Sequence, residues 1–168
     1  ISTGTALLVA ACGVPVIKHG NRSISSRSGS ADVLEALGLP LPLDEQRAGE
    51  CLRATSFSFL FAPHYHPAMK AIAPIRQALG IRTIFNVLGP LTNPAAPPFQ
   101  LVGAYSEPMA ELMAETFAGL PGLTRAFVVH GALGWDEPTT AGPFVLFDVR
   151  PGVVMRSIRS PADYGMRV

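Results

Sequence analysis

Short runs of β-branched and aromatic residues alternate with segments of helical periodicity, and this alternation limits the possible folds more than any other feature. The apolar runs are 14–18, 57–61, 83–86, 100–105 and 126–130, and helical segments fall at 5–11, 31–37, 44–54, 68–79 and 108–118. Two further runs, 144–149 and 153–158, follow one another with no helix between them. Strands separated by a helix return to the sheet in the same direction, whereas strands joined directly pair antiparallel. The expected fold is therefore α/β, a mostly parallel sheet flanked by helices with an antiparallel edge. Such a sheet binds its ligands beyond the carboxyl ends of its strands. The polar segments after Lys18, Asn86 and His130 lie at such ends.

Punctuation supports these boundaries. Ser2 or Thr3 is expected to cap the first helix, and Gly13, Gly38 and Gly80 to end helices. Residues 63–67, with two prolines, are expected to turn the chain, and 88–94 to form a structured loop. The chain has 168 residues, 48% of them hydrophobic and 15% charged, which suits one α/β domain with a packed interior. A net charge of +1 gives no bulk electrostatic basis for binding nucleic acid or a membrane surface. The apolar run 6–17 contains Gly13 and Pro15 and falls short of the ~18 residues that a spanning helix needs. Cys12 and Cys51 cannot build a disulfide framework and suit a reducing, cytoplasmic compartment. The chain starts with Ile rather than Met and is expected to be a piece of a longer protein, inactive by itself.

Lys18-His-Gly-Asn-Arg-Ser-Ile-Ser-Ser-Arg-Ser-Gly-Ser30 carries the strongest chemical signal. Cations, serine hydroxyls and glycines lie here between a strand and a helix start. Backbone N–H groups, hydroxyls and point charges can wrap an anion there, with the positive end of the helix behind them. The spacing of a Walker A loop is absent. The plainer reading is a solvated serine-rich loop. Asp136-Glu137 offers adjacent carboxylates of the kind that suit Mg²⁺, or else a solvated acidic loop. Arg76 falls on an otherwise apolar helix face, where a guanidinium either meets an anion or snorkels to water. His64 and His66 lack nearby partners for a zinc site.

Lys18-His-Gly-Asn-Arg22, with Ser28-Gly-Ser-Ala-Asp-Val-Leu-Glu-Ala-Leu-Gly38, closely resembles the anthranilate phosphoribosyltransferase family. So do Phe61-Ala-Pro-His-Tyr-His-Pro-Ala-Met-Lys70 and Gly80-Ile-Arg-Thr-Ile-Phe-Asn-Val-Leu-Gly-Pro-Leu-Thr-Asn-Pro94. The resemblance resumes more loosely at Val129-His-Gly131 with Asp136-Glu137, and faintly at 160–165. It implies transfer of a phosphoribosyl group from phosphoribosyl pyrophosphate to the anthranilate amine, within tryptophan biosynthesis. It implies that the N-terminal helical domain, through which the family forms homodimers, and a glycine-rich diphosphate loop lie outside this chain.

The resemblance also assigns roles. Ser2, Thr3, Lys18, His19, Gly20, Asn21, Arg22, Ser23, Ile24, Ser25, Ser26 and Ser30 would hold the phosphoribosyl donor. Asn21, His66, Arg76, Gly89 and Pro90 would hold anthranilate. Lys18 and Arg76 would carry catalysis, through charge on the leaving group and orientation of the amine. Ser2, Asp136 and Glu137 would ligate Mg²⁺, although Trp135 and Pro138 depart from the residues that usually flank the pair. A pyrimidine nucleoside phosphorylase of similar architecture is the nearest rival reading. A homologue that binds nucleic acid without catalysis is a second, and +1 gives it little support.

Overall fold

The computed structural model describes residues 1–23, 28–68, 75, 78 and 85–167, with the side chains of 85–87 left aside. Two compact units divide at Gly89/Pro90. The α/β class holds in both: each contains a parallel strand pair with helices against it, and the second ends in an antiparallel edge.

In the first unit, β1 (Val16–Gly20) and β2 (Phe57–Phe61) pair in parallel, with Lys18 opposite Phe59 and His19 opposite Leu60. β2 reads Phe-Ser-Phe-Leu-Phe and is buried on both faces, as a strand covered by two helical layers must be. Phe57 and Phe59 pack against Ala10 of α1 (Ser2–Ala11) and Ala31 and Leu34 of α2 (Ser30–Ala36). On the opposite face Leu60 meets Leu43, Ala48 of α3 (Glu45–Thr55) and Tyr65 of α4 (Ala62–Tyr65). Asp44 caps α3 by accepting the Arg47 N–H at 2.8 Å.

In the second unit, β3 (Phe99–Gly103) pairs in parallel with β4 (Arg125–His130) across α6 (Glu107–Ala118). β5 (Phe144–Arg150) and β6 (Val153–Arg159) extend the sheet antiparallel. Ala110, Met113, Ala114 and Phe117 form the buried stripe of α6, and Val128, Phe147 and Val149 belong to the buried sheet core. Pro151-Gly152 makes the hairpin, with Gly152 at φ +70, a conformation that β-carbon-bearing residues resist. Arg125 forks onto Asp148 of the neighbouring strand through Nε at 2.8 Å and Nη2 at 2.6 Å.

The structure corrects four sequence expectations. Ser2 is the first helical residue rather than the cap, and no side chain caps α1. β1 starts two residues later than expected, after Gly13 at φ +86 and Pro15, so His19 and Gly20 belong to the strand. Residues 62–65 form a helical turn with a proline in the first positions, where a prolyl ring replaces an N–H that has no helical partner. Asn86, expected at a strand end, and 88–91, expected in a loop, belong to α5 (Phe85–Leu91). A short apolar run does not distinguish strand from helix by periodicity, and Pro90 lies inside this helix although it has no N–H to give it. Residues 83–84 and most of the expected helix 68–79 lie outside the described residues; Ala68, Ile75 and Ala78 are helical.

Phe147 is 1% exposed, and Phe147→Ala should cost about 3–5 kcal/mol in a urea unfolding titration. Leu101, 61% exposed on β3, should change stability by no more than about 0.5 kcal/mol when replaced by Ala.

Candidate functional site

Alternation along β1 sends consecutive side chains to opposite faces. Lys18 lies on the α1 side and donates from Nζ to Ser2 Oγ at 3.0 Å, which joins two of the expected donor-binding residues. His19 lies on the other side, its ring 5.1 Å from that of His66 in an edge-on arrangement. It also hydrogen-bonds to the Gly89 backbone. The Nε2 atoms of both histidines are buried without a hydrogen-bond partner among the described residues. Burial, and secondarily the charge of His66, push the His19 pKa below its ordinary value, and the Gly89 bond opposes this.

Beyond β1 the chain is held by α2. The Asn21 carbonyl accepts the Ala31 N–H at 3.3 Å, and the Asn21 side-chain oxygen accepts the Arg22 N–H at 2.7 Å. Asp32 Oδ2 accepts both the Ser23 N–H at 3.0 Å and the Gly29 N–H at 2.7 Å. The bonds from Gly29 and Ser23 hold the Asp32 carboxyl below its usual range, with help from Arg22. Arg22 places its guanidinium fork on Glu35, with Nη2 2.6 Å from Oε1, and also reaches Asp32. A β-carbon on Gly20 would lie 3.2 Å from the Phe59 ring and 3.6 Å from Ser30 Cβ, so the start of α2 packs closely on the end of β1. Thr3 is buried in α1. Ile24, Ser25, Ser26 and Arg76 lie outside the described residues.

In the second unit, the segment after β4 folds back over the ends of β3 and β4. The Gly131 N–H donates to the Trp135 carbonyl at 2.7 Å, and a 3-10 turn at Ala132–Gly134 reverses the chain. A β-carbon on Gly103, the last residue of β3, would overlap the Asp136 carbonyl. One on Gly131 would overlap the Glu137 carbonyl and lie 3.3 Å from that of Trp135. His130 Nδ1 lies 2.9 Å from the Ala104 carbonyl oxygen, a further tie between the two strand ends. Adjacent oxygen donors at Asp136 and Glu137 fit Mg²⁺ in chemistry. Among the described residues no group of three or more His, Cys, Asp or Glu could hold a metal, and the expected third ligand, Ser2, belongs to the first unit. Pro90 lies in α5. A shallow depression of 560 Å³ lined by Asp44, Glu45, Gln46, His64, Tyr65 and Pro67 contains none of the expected site residues.

The family described as the glycosyl transferase family, a/b domain, matches residues 1–168. The chain belongs to that family. The chain is 54% identical over 167 residues to an anthranilate phosphoribosyltransferase of Pelotomaculum thermopropionicum, covering 99% of this chain and 48% of that protein. It is 52% identical to one of Solibacter usitatus, over 100% of this chain and 49% of that protein. It thus spans about half the length of the curated relatives it matches. Its fold is similar to an anthranilate phosphoribosyltransferase of Thermus thermophilus, with TM-score 0.81 at 44% identity over 99% of this chain and 48% of that one. It is also similar to the Saccharomyces cerevisiae enzyme in complex with phosphoribosyl pyrophosphate and Mg, with TM-score 0.84 at 29% identity over 98% and 46%.

Four features of this glycosyl transferase domain escaped the sequence reading. Asp32 could have been found as an acidic residue three positions after Gly29, a spacing that closes a helix start onto the preceding loop. The partner of Arg22 was not visible, because Glu35 is one of several helix carboxylates. Gly103 and Gly131 look like ordinary strand punctuation until the loop that covers them is seen.

The lowered His19 pKa has a definite sign in stability. Below 6.5 the unfolded chain takes up a proton that the folded ring resists, so stability is complete above 6.5 and lost as the pH falls toward the folded value. His19→Gln should flatten that part of a stability-against-pH profile measured by urea unfolding.

Proposed function

We propose that the full-length protein to which these residues belong is a cytoplasmic anthranilate phosphoribosyltransferase, homodimeric and Mg²⁺-dependent. It would transfer the 5-phosphoribosyl group from phosphoribosyl pyrophosphate to the anthranilate amine. The observation that supports this reading best is the carboxyl end of the β1/β2 pair. There Lys18 with Ser2 gives a cation and a hydroxyl for an anionic sugar, at the strand end that also carries the Asn21–Ser23 turn, the His19–His66 pair and the Gly89 backbone contact. The relatives' names, the yeast complex with phosphoribosyl pyrophosphate and Mg, and another yeast complex with 4-fluoroanthranilate supply the substrate classes.

In the reaction the amine nitrogen forms a bond to the anomeric carbon, the bond from that carbon to pyrophosphate breaks, and the amine gives up a proton. Charge moves onto the departing pyrophosphate. Lys18 would stabilise that charge as a preorganised cation, the kind of contact that favours the transition state. Mg²⁺, held by Asp136 and Glu137, supplies further neutralisation of phosphate charge when bound. Arg76 would take the anthranilate carboxylate with its fork and set the amine in line, so that its contribution is positional. Arg22 is engaged by Glu35 and Asp32, and its part is to hold the donor loop in shape rather than to act as a mobile charge.

The full-length enzyme with phosphoribosyl pyrophosphate, anthranilate and Mg²⁺ should release pyrophosphate as anthranilate is consumed. Phosphorolysis of a pyrimidine nucleoside in its place would favour the nucleoside phosphorylase reading. Arg76→Ala should raise the anthranilate KM by about 10- to 100-fold, the worth of a charged hydrogen-bonded pair, and leave that of the donor nearly unchanged. Equal effects on both would remove the assignment. Asp136→Asn with Glu137→Gln should abolish activity at ordinary Mg²⁺ and recover part of it at high Mg²⁺.

A further inference from the structure

We infer that Gly103 and Gly131 are positioning residues for the metal-binding carboxylates: the bare ends of β3 and β4 form the seat on which Asp136 and Glu137 rest. The inference deepens the reading above and depends on it. Gly103 ends β3 and Gly131 directly follows β4, and the two strands run in parallel, so both glycines lie at the same edge of the sheet. The loop settles on this edge through its backbone. A β-carbon at Gly103 would overlap the Asp136 carbonyl oxygen and come within 2.8 Å of its carbonyl carbon. A β-carbon at Gly131 would overlap the Glu137 carbonyl oxygen and lie 3.1 Å from the carbon. Each acidic residue is therefore matched to one glycine, and what meets the missing side chain is backbone, which cannot swing aside as a flexible side chain would.

Neither glycine has a positive φ, so the demand for glycine here is one of space and not of backbone conformation. The loop does carry strain of its own, at Leu133 with φ +61, a value that favours glycine or asparagine. A leucine held there shows how sharply the chain must turn between Gly131 and Asp136. The Gly131–Trp135 bond and the His130–Ala104 contact fix the same turn from either side.

The test uses the full-length enzyme and Mn²⁺ as a visible substitute for Mg²⁺, titrated in the presence of phosphoribosyl pyrophosphate and followed by the electron paramagnetic resonance signal of free Mn²⁺. Gly131→Ala and Gly103→Ala should each weaken Mn²⁺ binding by about 10- to 100-fold, as losses of outer-shell support do. Anthranilate affinity, measured by calorimetry, should stay as in the parent, which a general loss of structure would not allow. Gly119→Ala is the matched control, since its β-carbon would meet nothing nearer than the Thr116 carbonyl oxygen at 3.7 Å. Unchanged Mn²⁺ binding in both glycine variants overturns the inference, provided that Asp136→Asn with Glu137→Gln does weaken it. Unchanged binding in that double variant instead removes the metal role of the acidic pair. Failure of both glycine variants to fold would mean that the glycines serve the fold as a whole, and would also overturn the inference.

Discussion

Parallel pairing governs this molecule. A parallel strand pair offers no hairpin, so the chain leaves both of its strands at the same end, and in the first unit helices cover both faces of the pair. In the first unit this places the polar segment after β1 and the α4 turn after β2 at the same edge, and His19 meets His66 there. In the second unit it places Gly103 and Gly131 at one edge, with the acidic loop resting across them. The chemistry is spread over distant stretches of sequence, and the strand direction gathers it within each unit.

The strand period then divides the labour. Lys18 and His19 are neighbours in sequence, yet one points toward α1 and the other toward the α4 side, because consecutive residues of a strand face opposite ways. One strand end thereby turns a cation toward the Ser2 hydroxyl and an imidazole of lowered pKa toward His66. The low His19 pKa belongs to the same arrangement: burial beside a second histidine disfavours the charged ring. Around Arg22 the logic is reversed, since Asp32 and Glu35 compensate the cation and hold the strand exit to α2.

Much of this was legible in the sequence. The strands at 57–61 and 126–130, the α6 stripe and the closing hairpin follow from period and turn residues, because these elements bury one consistent face or, for β2, both. Composition and its place after a strand marked the polar segment after Lys18 as a candidate anion site. Other features were not. The stretch 85–91 reads as strand and loop because it is short, apolar and contains glycine and proline, yet it forms a helical turn. Ser2 has the residue type of a cap but turns its hydroxyl to Lys18, a partner sixteen positions away. The contact of Gly103 is tertiary, with a loop thirty-three residues later, and that of Gly131 lies within the loop that follows it, where no residue pattern marks how closely the chain returns.

The central claim is that the end of β1, with Lys18 and Ser2 as its core, receives a sugar diphosphate with the help of a divalent cation. Calorimetric titration of the full-length protein with phosphoribosyl pyrophosphate, with and without Mg²⁺, tests it most directly. The account predicts saturable binding in Mg²⁺ that weakens when the metal is chelated and weakens again in Lys18→Met. The absence of any binding heat at either condition, or binding indifferent to both Mg²⁺ and Lys18, would contradict it.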